Sequence, residues 1–189
     1  MPDYLWYASY GSNMLEERFA CYIKGGQFRL GGKPLNGCRD KSLPVGTDKI
    51  LIPHELYFSE KSRWWQGGGT ALLDSMPTHR ESEFARGRIW KITREQYQEI
   101  WAEEGKGVHN FEIGLGHHAD GCEILTFTST QKLSSSRPST NYIQTIALGL
   151  RETFDMNSQQ IIDYLSRLEG IIDRMQEAEL ETIIRPLGL

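Results

Sequence analysis

The sequence predicts a fold of the α+β class. Three observations carry that reading: an aromatic N-terminal strand running through a glycine into a helix, strand signals through the middle, and helix signals closing the chain. In Leu5-Trp6-Tyr7-Ala8-Ser9-Tyr10-Gly11-Ser12-Asn13-Met14, the aromatic residues favour extended backbone. Gly11 permits a tight turn, and Ser12 and Asn13 are good helix caps. Glu16 stands three residues after Asn13, a capping-box spacing. Leu15, Phe19, Tyr22 and Ile23 then share one helical face. Residues 25–49 have weak periodicity and read as long loops with short strands. Residues 49–58 are rich in Ile, Leu and Tyr and form a strand, bent or ended near Pro53. Residues 70–73 and 84–92 are further strands, separated by the loop containing Pro77. Thr93 opens a helix with Gln96 at the capping-box position, and Gly105 closes it. Residues 108–113 and 122–128 read as a strand pair around a Gly/His-rich loop. Helices follow over about 140–153, 158–169 and 173–184. No internal repeat is present.

Composition sets the outer limits. The chain has 189 residues, 39% hydrophobic and 24% charged, as in an ordinary globular protein. No Pro/Gly/Ser-rich linker divides it, so one domain over 1–189 is expected, its C-terminal helices beginning near 140. A net charge of −4 lacks the basic footprint of a nucleic-acid binder. No stretch has the length of a membrane span, and the N-terminus lacks the pattern of a signal peptide. Cys21, Cys38 and Cys122 are odd in number and widely separated, which suits buried or free thiols in a reducing cytoplasm.

One carboxylate stands apart. On the helix over 93–104, Tyr97, Ile100 and Trp101 define an apolar stripe at about 100° per residue, and Glu104 falls close to its centre. Glu95 and Glu99 project to the opposite side, and Glu103 lies at the stripe's edge. Burial disfavours the charged form of a carboxyl group, and one poised near neutrality suits general acid/base work. Helical phase alone leaves a second reading open, in which Glu104 sits in a fraying last turn, partly exposed or paired with a lysine.

Other clusters are less specific. Gly67-Gly68-Gly69 lacks the Gly-Lys-Ser/Thr of a phosphate loop, and more plainly lets a backbone or ligand come close. Trp64 and Trp65 suit either a pocket wall or a core. His117-His118 with Asp120 and Cys122 shows no structural zinc spacing, so no metal is expected. Gly11-Ser12-Asn13 is not a nucleophile elbow, so Ser12 is assigned to binding rather than attack. Tyr142 on residue content alone is a helix-face residue.

The loop Tyr10-Gly11-Ser12-Asn13-Met14 resembles the signature loop of the gamma-glutamylcyclotransferase family, Tyr-Gly-Ser-Asn-Leu or -Met. The likeness continues at Ser62-Arg63-Trp64-Trp65-Gln66-Gly67-Gly68-Gly69-Thr70-Ala71, Gly87-Arg88-Ile89-Trp90-Lys91-Ile92, Glu104-Gly105 and Pro138-Ser139-Thr140-Asn141-Tyr142-Ile143, in the family's order, over about residues 4 to 168. The resemblance implies a mixed, curved sheet closing toward a small β-barrel and flanked by helices. It implies cleavage of a gamma-glutamyl amide by intramolecular aminolysis, releasing 5-oxoproline and an amine or amino acid. Glu104 would be the general acid/base. Tyr10, Gly11, Ser12, Asn13, Met14, Gly68 and Tyr142 would bind the substrate, with no cofactor, no metal, no nucleic acid and no membrane. The alternative is a non-catalytic binding or regulatory protein of the same fold. The sequence departs from the family at Phe111, the nearest match to a common Tyr, and in the greater length of residues 25–49. The amine half of the substrate and the oligomeric state are not legible.

Overall fold

The computed structural model describes residues 3–105 and 107–189. Its elements, in chain order, are β1 (Tyr4–Ser9), α1 (Glu16–Lys24), β2 (Gly46–Ile52), β3 (His54–Ser62), β4 (Gly68–Pro77), β5 (Ala85–Thr93), α2 (Arg94–Glu104), β6 (Phe111–His117), β7 (Glu123–Thr128), α3 (Thr140–Phe154), α4 (Ser158–Leu165) and α5 (Glu177–Ile184). A 3₁₀ turn, Ser12–Met14, stands between β1 and α1.

Five strands form one mixed sheet in the order β2-β5-β1-β7-β6. β1 runs antiparallel to β5, with Tyr7 opposite Trp90, and parallel to β7, with Tyr7 opposite Leu125. This central place explains the unbroken apolar run of β1, because both of its faces are covered. Leu5 and Tyr7 pack with Phe19, Tyr97 and Phe127 beneath α1 and α2. Trp6 and Ala8 join the larger core that includes Ile143, Ile146, Ile161 and Leu180 of the C-terminal helices.

β3 and β4 form a separate antiparallel hairpin. The strands do not close into a barrel among the described residues. Instead the Thr128 hydroxyl spans the gap, accepting from the Leu73 N–H at 3.0 Å and donating to the Leu73 carbonyl at 2.7 Å. Pro53 does more than bend the strand expected over 49–58. It lacks an N–H for the ladder, and the chain leaves the large sheet there for the hairpin.

The capping box at Thr93 and Gln96 forms as the sequence predicts. The one expected at Asn13 and Glu16 does not, since α1 starts with Leu15 at its N-cap and no side chain capping it. Instead, the Glu16 N–H donates to the carboxylate of Glu152 on α3, at 3.0 Å. The last helix starts at Glu177 rather than near 173, because Asp173 is occupied holding the turn before it, accepting from the Gly170 N–H at 2.7 Å. No helix among the described residues is long and apolar enough to cross a membrane.

Candidate active site

The loop after β1 is held from every side. The Tyr10 hydroxyl donates to the Phe127 carbonyl at 2.7 Å. The Trp90 indole donates to the Asn13 carbonyl at 3.0 Å, and Arg88 donates to the Met14 carbonyl at 3.1 Å and to Glu152 at 3.0 Å. From above, α3 comes so close that a Cβ on Gly149 would lie 2.9 Å from the Leu15 nitrogen, which only glycine avoids. Gly11 is equally confined, with the Tyr142 hydroxyl and the Ala71 Cβ about where its own Cβ would press, at 3.0 and 3.1 Å. This lack of space is by itself enough to call for glycine here.

Beside this loop lies a cavity of about 320 Å³, a size suited to a small molecule. Glu104 forms part of its wall. The carboxylate accepts from the Asn13 amide at 2.9 Å and from the Tyr22 hydroxyl at 2.5 Å, both at Oε1. Oε2 has no hydrogen-bond partner among the described residues and remains available for proton transfer. The phase of α2 accounts for this placement. Tyr97 and Ile100 are buried beneath the helix, and Glu104 ends the same stripe. Glu95 and Glu99 turn outward to Arg39. The nearby lysine, Lys33, pairs with Glu103 at 3.0 Å, not with Glu104.

Four buried tyrosines, Tyr7, Tyr10, Tyr22 and Tyr142, share the cavity wall with Glu104. Burial first, and the negative charge of Glu104 after it, push the Tyr7 and Tyr22 hydroxyls well above the ordinary tyrosine range. Burial likewise carries Tyr142 up to about 12. All therefore stay protonated at neutral pH, as hydrogen-bonding hydroxyls. Tyr142 accepts from the Ala71 N–H at 3.0 Å, which ties α3 to β4 across the cavity floor.

Of the residues singled out in the sequence, Tyr10, Gly11, Ser12, Asn13, Glu104 and Tyr142 meet around this space. Met14 and Gly68 do not. Met14 is fully buried in the larger core beneath α3. Gly68 is pressed against the backbone of Pro138 and Ser139, 2.3 Å from where its Cβ would sit. Its glycine lets β4 pack on the chain entering α3. Phe111 is exposed and outside the cavity, where the same connection contributes Val108 and His109 instead. Trp65 is buried in the wall, edge-on to Tyr142 at 4.8 Å, while Trp64 is largely exposed at the rim. His118 packs on the Trp6 ring at 4.3 Å and pairs with Asp120, away from the cavity.

Arg18, Tyr22 and Lys33 were not singled out as site residues. The 3.6-residue period did place Tyr22 on the inner face of α1, four residues from Arg18. Only the fold shows that this face ends at the cavity. Lys33 arrives from residues 25–45, which wrap over Trp65, the Gly32 N–H donating to the Trp64 carbonyl at 3.0 Å.

No family model matches the sequence. Histone deacetylase 5 of Arabidopsis thaliana is 39% identical over 101 residues, 53% of this chain. The chain spans only 15% of the length of that curated relative. Two solved structures superpose over nearly all of both chains, covering 97% of this one and 99% of each of those. One is described as a gamma-glutamyl cyclotransferase, at a TM-score of 0.60 and 19% identity. The other is described as the uncharacterized protein loc79017 from Homo sapiens, at a TM-score of 0.60 and 22% identity. At such identities the likeness is one of fold: the chain has the gamma-glutamyl cyclotransferase fold.

Proposed function

We propose that this protein is a cyclotransferase that cleaves a gamma-glutamyl amide by intramolecular aminolysis, with Glu104 as general acid/base. The observation that carries the reading is the carboxylate of Glu104, fixed through Oε1 by Asn13 and Tyr22 and, among the described residues, free at Oε2, in a cavity beside the Gly11–Asn13 turn. The substrate's α-nitrogen attacks its own γ-carbonyl carbon. A C–N bond forms to close the five-membered ring, and the amide C–N bond breaks. Glu104 takes a proton from the attacking nitrogen and returns it to the leaving nitrogen, so 5-oxoproline and a free amine or amino acid depart. Nucleophile and electrophile already share one molecule, so positioning and proton transfer supply most of what is needed. No step calls for a cofactor. Donors at the Gly11–Asn13 turn hold an oxygen of the substrate, and the aromatic walls exclude water.

The direct test is incubation of the protein with gamma-glutamyl-alanine, gamma-glutamyl-glutamine, gamma-glutamyl-ethylamine and glutathione, followed by assay for 5-oxoproline. Release from at least one is expected. No release from any would leave a binding protein of the same fold. A second expectation concerns Tyr22, a positioning residue in this scheme. Tyr22→Phe removes the donor that orients Glu104 and should lower kcat about tenfold, the effect of about 1.4 kcal/mol in the barrier, with KM nearly unchanged. A parallel rise in KM would instead mark Tyr22 as a substrate contact.

A further inference from the structure

Arg18 has no part in the reaction just described, yet its guanidinium lies in the wall of the same cavity and its residue is 2% exposed. One nitrogen, Nη2, donates to the Tyr22 hydroxyl at 3.1 Å. Nε and Nη1 have no hydrogen-bond partner among the described residues. The flat group is sandwiched, 4.7 Å above the Tyr22 ring and 5.8 Å from the Trp65 ring. On its edge the chain at Gly32 is so close that a Cβ there would meet Nη2 at 3.0 Å. No carboxylate among the described residues pairs with it, whereas Arg88, the other buried arginine, is answered by Glu16 and Glu152.

A guanidinium stays charged at any pH a protein meets. Burying it with donors unused is costly, and buried polar groups in folded proteins have partners. Holding it between two rings, with no carboxylate of the described residues in direct contact, is the arrangement of a group whose partner arrives with the ligand. Its planar array of N–H groups matches a carboxylate, which two of them engage at once. The position fits. The Tyr22 hydroxyl accepts from Arg18 and donates to Glu104 at 2.5 Å, so an anion on Arg18 sits one hydroxyl away from the reacting groups.

We propose that Arg18 is the carboxylate-binding residue of this cavity, its free guanidinium N–H groups receiving a carboxylate of the substrate. This rests on the cyclotransferase reading and extends it to substrate recognition. It also divides the work: the turn at Gly11–Asn13 is left free for the oxygen of the γ-carbonyl. The carboxylate has two sources, the α-carboxylate of the gamma-glutamyl group, kept in 5-oxoproline, or that of a leaving amino acid.

The experiment compares wild type with Arg18→Met, both checked by thermal melts. Affinities are measured by calorimetry for 5-oxoproline and for 2-pyrrolidinone, the same lactam ring without the carboxylate. If the α-carboxylate is the partner, Arg18→Met weakens 5-oxoproline on the order of tenfold to a hundredfold and leaves 2-pyrrolidinone unmoved. If the leaving amino acid supplies it, 5-oxoproline is unmoved, and KM rises for gamma-glutamyl-alanine but not for gamma-glutamyl-ethylamine. A folded variant that changes none of these overturns the assignment. Should Arg18→Met not fold, the wild-type protein decides. Its Arg18 Nε–H NMR signal must shift with 5-oxoproline or gamma-glutamyl-alanine and stay still with 2-pyrrolidinone. A signal indifferent to all three overturns the proposal. Arg18-dependent carboxylate binding without any 5-oxoproline formation would sink the cyclotransferase reading alone; turnover indifferent to Arg18 would sink this one alone.

Discussion

Glu104→Gln is expected to lower turnover by about a hundredfold or more while the protein folds normally and still binds 5-oxoproline. The amide is nearly the same size, and it still accepts from Asn13 and Tyr22 through its oxygen, so the geometry around Oε1 survives. What is lost is an oxygen able to take a proton and give it back. Glu103→Gln is the matched control. Its carboxylate pairs with Lys33 in a partly exposed bridge, a contact worth roughly 0–1 kcal/mol of stability and nothing in proton transfer. Single-turnover kinetics on both variants separates them. Normal turnover in Glu104→Gln with a dead Glu103→Gln would mean that the proton passes through the other acid of the pair.

The position of that acid was legible because it depends on local rules. Thr93 and Gln96 announce where α2 starts, and the capping box they form sets the helical phase. Tyr97 and Ile100 then show which face is buried, and Glu104 follows by arithmetic. Asn13 obeys no such rule. Its residue type and the Glu16 three places on suit a cap, but its side chain is spent on Glu104, 91 residues away in the chain. A local hydrogen bond lost to a long-range one, and nothing in the flanking residues records the exchange. The same limit hides the division at Pro53. Proline forecasts an interruption, whereas the transfer of the chain from one sheet to another is decided by which strands are free to pair.

Glycines were read with mixed success for a related reason. Gly68 and Gly11 both sit at close approaches, and sequence gives no means of telling whether the neighbour is backbone, as at Ser139, or the mouth of a cavity. Arg18 shows a further gap. Four residues before Tyr22 on α1, it carries no sequence signal that marks its charge for a cavity wall. The chain at Gly32, folded over Trp65, lies against its guanidinium and helps to bury it. The segment over 25–45 has weak periodicity because its order comes from scattered contacts, such as the Asn141 amide donating to the Leu30 carbonyl at 2.8 Å.

Gly11→Val should damage ligand binding far more than Ser12→Ala. The effect expected here comes from volume. A Cβ alone would stand 3.0 Å from the Tyr142 hydroxyl and 3.1 Å from the Ala71 Cβ, and two further methyl groups have no room. Relief requires Tyr142 to move, which breaks its bond from the Ala71 N–H and spreads α3 from β4. Overpacking of this kind costs about 1–3 kcal/mol, and, expressed at the cavity floor, weakens 5-oxoproline on the order of tenfold to a hundredfold. Ser12→Ala leaves the backbone donors in place. Its hydroxyl makes only a long contact, 3.5 Å to Asn13, besides its approach to Tyr142, so a loss of about 1 kcal/mol or less is expected. Affinity for 5-oxoproline, measured on variants shown by thermal melts to be folded, decides between them. A folded Gly11→Val that binds like wild type would make the loop a mere connection between β1 and α1. A Ser12→Ala that binds normally but no longer turns over would give the serine hydroxyl a chemical role alongside Glu104.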